Sequence, residues 1–130
     1  MRELGPESGP HAETCFSGQE GARATCSLLL ARERPTAILY DNDIMAVAGL
    51  GVAAEMGVPV PDDLSLLAWD DSQLCRLTHP TLSAMSHDVH SFGAQVTRVL
   101  FDVLDGREVV SRPVATPSLV PRASTASPRG

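Results

Sequence analysis

Lysine is missing from this sequence altogether. The ten basic residues are all arginine, they are scattered, and sixteen acidic residues leave a formal net charge of −6. Phosphate gripping needs clustered cations, so this balance argues against nucleic-acid binding by the chain alone. Long apolar runs are also missing, and no stretch could span a membrane. The N-terminal "MRELGPESGPHAET" lacks the apolar core of a signal peptide. Cysteine is sparse: Cys15, Cys26 and Cys75 are odd in number, without metal or redox spacing. They read as buried or partly buried thiols in a reducing compartment, and the simplest expectation is a cytoplasmic protein. What is present suits one folded domain: 130 residues, 43% apolar and 20% charged.

Residues 1–14 are rich in Gly, Pro and Glu and are expected to be loose. Ser17 followed by Glu20 has the spacing of a capping box, so a helix is expected from there to about Arg32–Arg34, before Pro35. "TAILY" is short, apolar and bounded by Pro and Asp, as a buried strand would be. A second helix follows, capped by Asn42 or Asp43 and closed by Gly57. "LSLLAW" predicts another buried strand, "SQLCRLTHP" a short irregular or helical link, and "TLSAM" a third strand. From Asp88 to Gly106, Val89, Phe92, Val96, Val99, Leu100 and Val103 recur at helical spacing and form one apolar stripe. "VATPSLV" has room for an edge strand, and "PRASTASPRG" reads as a polar, disordered tail. The alternation predicts an α/β fold, a parallel sheet flanked by helices.

The expected strands end in polar groups: Asn42 and Asp43, then Asp70 and Asp71, then Ser86, His87 and Asp88. Ligands bind beyond the carboxyl ends of parallel strands, so these groups are expected to crowd one rim. Carboxylates accept from two hydroxyls, and an amide both donates and accepts, which suits a small polyhydroxylated ligand. Phe16, Tyr40 and Trp69 are the aromatics near the rim for a sugar face. The plainer reading is that Asn42 or Asp43 simply caps the following helix. Asp71 is expected to point away from Asp70, into a structural contact or an interface. His87 and His90 have no obvious third ligand, so no metal is assigned, and no cofactor either. Gly49, Gly51 and Ala54 mimic a dinucleotide fingerprint but lie inside a helix, which rules it out. No nucleophile elbow or Ser/His/Asp pattern is visible, and no enzymatic activity is expected.

The stretch "RPTAILYDNDIMAVAGLGVAAEMGVPVPDDLSLLAWDD" resembles the effector-binding core of the LacI/GalR family of bacterial transcriptional repressors. The order of its motifs carries the likeness: Pro-Thr-Ala before the strand, Asn-Asp-x-Met-Ala opening the helix, and an aromatic-Asp-Asp after the next strand. "FSGQEGARATCSLLL", "HPTLSAM" and "PSLVPRASTASP" resemble neighbouring family segments, so the likeness covers about residues 15–127.

The resemblance implies part of a type I periplasmic-binding-protein-like effector domain. Residues 15–86 would belong to its C-terminal subdomain, 87–106 to a crossover helix of the N-terminal subdomain, and 107–130 to a return strand and tail. It implies a small-molecule effector, a sugar or related polyol, contacted by Asn42, Asp70, Phe16, His87 and Val89. It also implies a homo-oligomer pairing through Met45, Ala48, Val52, Met56 and Leu74. DNA would be reached only through an N-terminal helix-turn-helix that is not in this chain, and no membrane is implied. Two departures alter the rim: Ala68 replaces the family's usual Gly, and Thr81–Met85 replaces its Pro-Leu-Thr-Thr-Val. The chain is thus expected to be about the last third of a repressor, sensing an effector and dimerising. The alternatives are a fragment of a periplasmic-type sugar-binding protein, or a dimerisation module without ligand binding.

Overall fold

Helix α1 (Gly18–Leu30) starts where the capping pattern places it, because the Ser17 hydroxyl accepts the Glu20 N–H at 3.2 Å. The Glu20 carboxylate does not return the favour and instead pairs with Arg23 at 3.0 Å. The helix stops at Leu30, earlier than expected, where Ala31 turns extended and its N–H bonds back to Leu28. The computed structural model describes residues 10–108 and 113–127. Most of the N-terminal segment expected to be loose, residues 1–9, lies outside the described residues, as do the last three residues of the tail.

Strand β1 (Ala37–Tyr40) leads into helix α2 (Asp43–Glu55), and strand β2 (Ser65–Ala68) pairs parallel to β1 with Ile38 beside Leu66 and Tyr40 beside Ala68. A short helix α3 (Leu74–Leu77) precedes strand β3 (Ser83–Ser86), which is parallel to β2. Helix α4 (Val89–Leu104) and strand β4 (Ser118–Val120) are the last elements among the described residues, and the sheet order is β1-β2-β3-β4. The sheet is parallel except at this last edge, where β4 runs antiparallel to β3. An antiparallel edge on a parallel sheet is common in such folds.

Gly57 and Gly106 carry positive φ, 67° and 69°, the backbone turn that ends α2 and α4. Tyr40, Leu66, Ala68 and Ala84 bury one sheet face together with Ala46, Leu50 and Ala53 of α2. Helix α2 comes this close because it is thin there: a Cβ on Gly49 would collide with the Tyr40 hydroxyl. That hydroxyl is within 2.8 Å of the Thr25 Oγ1, which donates to the Gly21 carbonyl at 2.7 Å. Gly21 lets α1 sit equally close on α2, since a Cβ there would lie 2.8 Å from the Met45 Cβ.

Among the described residues, helices cover only that face. On the other, Leu39 and Leu119 are 57% and 56% exposed. Helix α4 does not fold back over it, and none of its residues is buried.

The tail corrects an expectation. Residues 121–126 are an ordered strap rather than a disordered tail. The Ser124 hydroxyl, fully buried, donates to the Leu66 carbonyl at 2.6 Å and accepts the Ser83 N–H at 2.8 Å. It therefore bridges β2 and β3 where their own ladder has not yet begun. Arg122 donates to the Leu82 carbonyl and grips both Asp71 oxygens, at 2.7 and 3.0 Å.

Candidate ligand cleft at the strand ends

The carboxyl ends of β2 and β3 open into a cleft of about 780 Å³. Asp70, Asp71 and Ser72 form its floor, His87 and Asp88 one corner, Val89, Ser91, Phe92 and Gln95 of α4 a wall, and Val114–Pro117 the opposite side. The cleft has two characters. Asp70, Ser72, Ser91 and Gln95 present polar atoms, while Val89, Phe92, Val114 and Pro117 present an apolar surface.

The floor is fixed from beneath at three consecutive residues. The Cys75 thiol lies 3.4 Å from the Asp70 carbonyl, Arg122 holds the Asp71 carboxylate, and the Ser72 hydroxyl donates to Asp43. Asp43 in turn accepts the Ile44 N–H at 2.8 Å, so the floor is tied to the first turn of α2. Burial pushes the Cys75 thiol above its ordinary value, with the nearby Asp43 and Asp71 charges acting the same way, which makes it an unreactive structural thiol. Asp71 makes a structural contact, one of the two roles expected of it. The Asp70 carboxylate is exposed and makes no hydrogen bond or ion pair among the described residues. A carboxylate held open on a braced loop is poised to accept from ligand hydroxyls.

His87 is exposed, its Nε2–H donating to the Trp69 carbonyl at 3.1 Å while its ring lies 5.5 Å from the Trp69 ring, tilted by 57°. Asp88 caps α4 by accepting the Ser91 N–H at 2.9 Å. This backbone hydrogen bond, then one from the Ser91 hydroxyl, holds the Asp88 carboxyl below the usual carboxylate value.

The structure divides the five residues expected to contact ligand. Asp70, His87 and Val89 line the cleft together. Asn42 and Phe16 do not, and they bond to each other instead: the Asn42 amide donates to the Phe16 carbonyl at 2.9 Å. Asn42 is also the α2 cap, accepting the Met45 N–H at 2.8 Å. It stands on the same rim as Asp70, since each is two residues past the paired Tyr40 and Ala68, but the cleft opens toward β3 and leaves it outside. Phe16 has φ +62°, a strained value for a residue with a side chain, and the residue is 61% exposed.

On the expected pairing surface, Met45 is corrected to the core. It is 6% exposed, against Gly21 of α1, with the Thr14 hydroxyl 3.6 Å from its sulfur. Ala48, Val52 and Met56 are half-buried, and Leu74 is exposed. Cys15 is also exposed, where a covered thiol was expected. Sequence reasoning missed Phe92, Gln95 and Val114–Pro117 as cleft residues. The helical stripe pointed to Phe92 as apolar but not to what it faces, and residues 114–117 arrive only through the pairing of β4. Among the described residues, no cluster of three or more His, Cys, Asp or Glu could hold a metal ion, and no helix is long and apolar enough to cross a membrane.

This architecture, a parallel sheet with a cleft beyond its strand ends, is that of periplasmic-binding-protein-like domains, and residues 2–125 match the model of the periplasmic binding protein-like domain family. The chain belongs to that family, in the form carried by LacI-type transcriptional regulators. It is 36% identical over 112 residues to the HTH-type transcriptional regulator MalR of Streptomyces coelicolor, covering 85% of this chain and 32% of that protein. A LacI family transcriptional regulator from Bifidobacterium animalis superposes with a TM-score of 0.84 at 40% identity, covering 88% of this chain and 42% of that one. A LacI family regulator from Arthrobacter, solved in complex with lactose, superposes with a TM-score of 0.72 at 27% identity, covering 85% of this chain and 43% of that one. The chain thus spans about a third of the curated relative's length.

Proposed function

We propose that this chain is the effector-sensing and dimerisation part of a LacI-type regulator, and that its effector is a small polyhydroxylated molecule of the sugar class. The observation that carries this reading is the free Asp70 carboxylate, on a braced floor, sharing one cleft with the apolar Val89 and Phe92. A sugar offers that combination in reverse, hydroxyls at its edge and an apolar face. The lactose complex of the Arthrobacter relative supports the ligand class. Asp70 accepts hydroxyl protons, His87 adds a polar contact at the corner, and Val89 and Phe92 cover the ring. Asn42 and Phe16 form a second patch on the same rim, where the exposed Phe16 ring meets a ligand long enough to reach it. Copies of the chain pair through the outer side of α2 and α3, by way of Ala48, Val52, Met56 and Leu74.

Calorimetric titration of the chain with a panel of neutral mono- and disaccharides tests the reading. Binding by at least one sugar is expected, together with its loss in Asp70→Ala and an unchanged far-ultraviolet circular dichroism spectrum. Failure of the whole panel would leave the dimerisation module as the better reading. Sugar binding that survives Asp70→Ala would move the site elsewhere.

A further inference from the structure

Asp70, Asp71 and Asp88 all line the cleft, but their charges are compensated unequally. Asp71 is neutralised by the bidentate Arg122. Asp70 has no cation beside it among the described residues, and no arginine belongs to the described lining. Asp88 is hydrogen-bonded to the Ser91 N–H, which stabilises its charge without cancelling it, and an imidazolium at His90 would offset that charge.

The start of α4 is where a phosphate would otherwise sit, because unpaired N–H groups and the helix dipole favour anions there. In this chain the place is taken. The Asp88 carboxylate holds the Ser91 N–H, and the Val89 N–H bonds to the His87 carbonyl at 3.0 Å. An incoming anion would have to displace the chain's own carboxylate and then share the cleft with it and with Asp70.

We infer that the cleft selects its effector by charge, admitting uncharged sugars with an apolar face and rejecting their phosphate esters. The inference rests on the sugar-sensing reading above. A phosphate monoester brings a charge of about −1.5 to −2 at neutral pH. Like charges brought together at a binding surface suppress the wrong partner strongly, by about tenfold or more in affinity. The side chains of Val89, Phe92, Val114 and Pro117 sharpen the choice, since they offer a phosphate no donor to replace its water, and leave Ser91 and Gln95 of α4 as the polar contacts.

The experiment is calorimetry on this chain with glucose, maltose, lactose and cellobiose, each beside its 6-phosphate ester. It is run at low and high salt in mildly alkaline buffer, which disfavours imidazolium. The ester of any sugar that binds is expected to be at least about tenfold weaker at low salt. The gap should narrow at high salt, because exposed charges are screened. It should also narrow in Asp88→Asn, whose amide oxygen still caps α4. An ester that binds as tightly as its parent overturns the charge selection and leaves sugar sensing standing. A gap unmoved by salt and by Asp88→Asn reflects shape, and overturns it as well. If neither parents nor esters bind, both the inference and the reading beneath it fall.

Discussion

Tyr40 shows how one side chain can tie three elements together. It is the only tyrosine of the chain, it lies buried on Gly49 of α2, and its hydroxyl meets Thr25 of α1. Burial raises its hydroxyl above the ordinary value of 10.0, and the Thr25 hydrogen bond opposes this only in part. The folded state therefore favours the neutral phenol. The stability this confers is fully present below pH 10 and is lost as pH rises through the higher folded value. Absorbance of the phenolate reports this one residue. Its transition is expected above that of a free tyrosine, together with a fall in stability to urea at alkaline pH that is shallower in Tyr40→Phe. Ionisation at the free value in the native protein would contradict the burial argument.

At the scale of elements, the strap at residues 121–126 holds the sheet and the cleft floor together. Ser124 satisfies a buried carbonyl on β2 and a buried N–H on β3. Ser124→Ala leaves both without that partner, at a cost of about 1–3 kcal/mol. Arg122 is 14% exposed and its Asp71 partner 7%. Arg122→Ala strands a buried carboxylate and is expected to cost more, about 3–5 kcal/mol. Arg76 offers Asp71 only a longer contact of 3.6 Å from an exposed side chain, too weak to replace it. Urea unfolding of the two variants checks the order. If Arg122→Ala were as stable as the parent, the strap would be ornamental, and Asp71 would have to find its compensation elsewhere.

At the scale of the whole molecule, the dominant fact is uncovered apolar surface. Val89, Phe92, Val96, Leu100 and Val103 of α4 are 72%, 49%, 51%, 55% and 54% exposed, and Leu39 and Leu119 add to this from the open sheet face. Covering one such side chain contributes roughly 1.5–3 kcal/mol, and a contiguous stripe of them marks an association site. The chain in isolation is therefore expected to self-associate with rising concentration. Light scattering behind size exclusion reads this, and Val96→Glu with Leu100→Glu should shift the population toward monomer. A parent chain that stays monomeric over the whole accessible range would show that the stripe is tolerated in water.

The readable part of this protein in its sequence was the part made by near neighbours. Ser17, Asn42 and Asp88 each cap a helix by accepting an N–H three residues on. Gly57 and Gly106 supply backbone turns that other residues resist. Strand cores and helical stripes repeat at their own periods, and the family motifs carry the fold with them. Pairings across long stretches of chain were not readable. Arg122 and Asp71 are 51 residues apart and Ser124 and Leu66 are 58, so a polar tail became a buried strap only once β4 had brought it back to the sheet. The rim was predictable because every parallel strand ends on the same side. Which rim residues share a cleft was not, because that depends on where α4 and residues 114–117 stand. Their placement encloses Asp70, His87 and Val89 and leaves Asn42 and Phe16 outside.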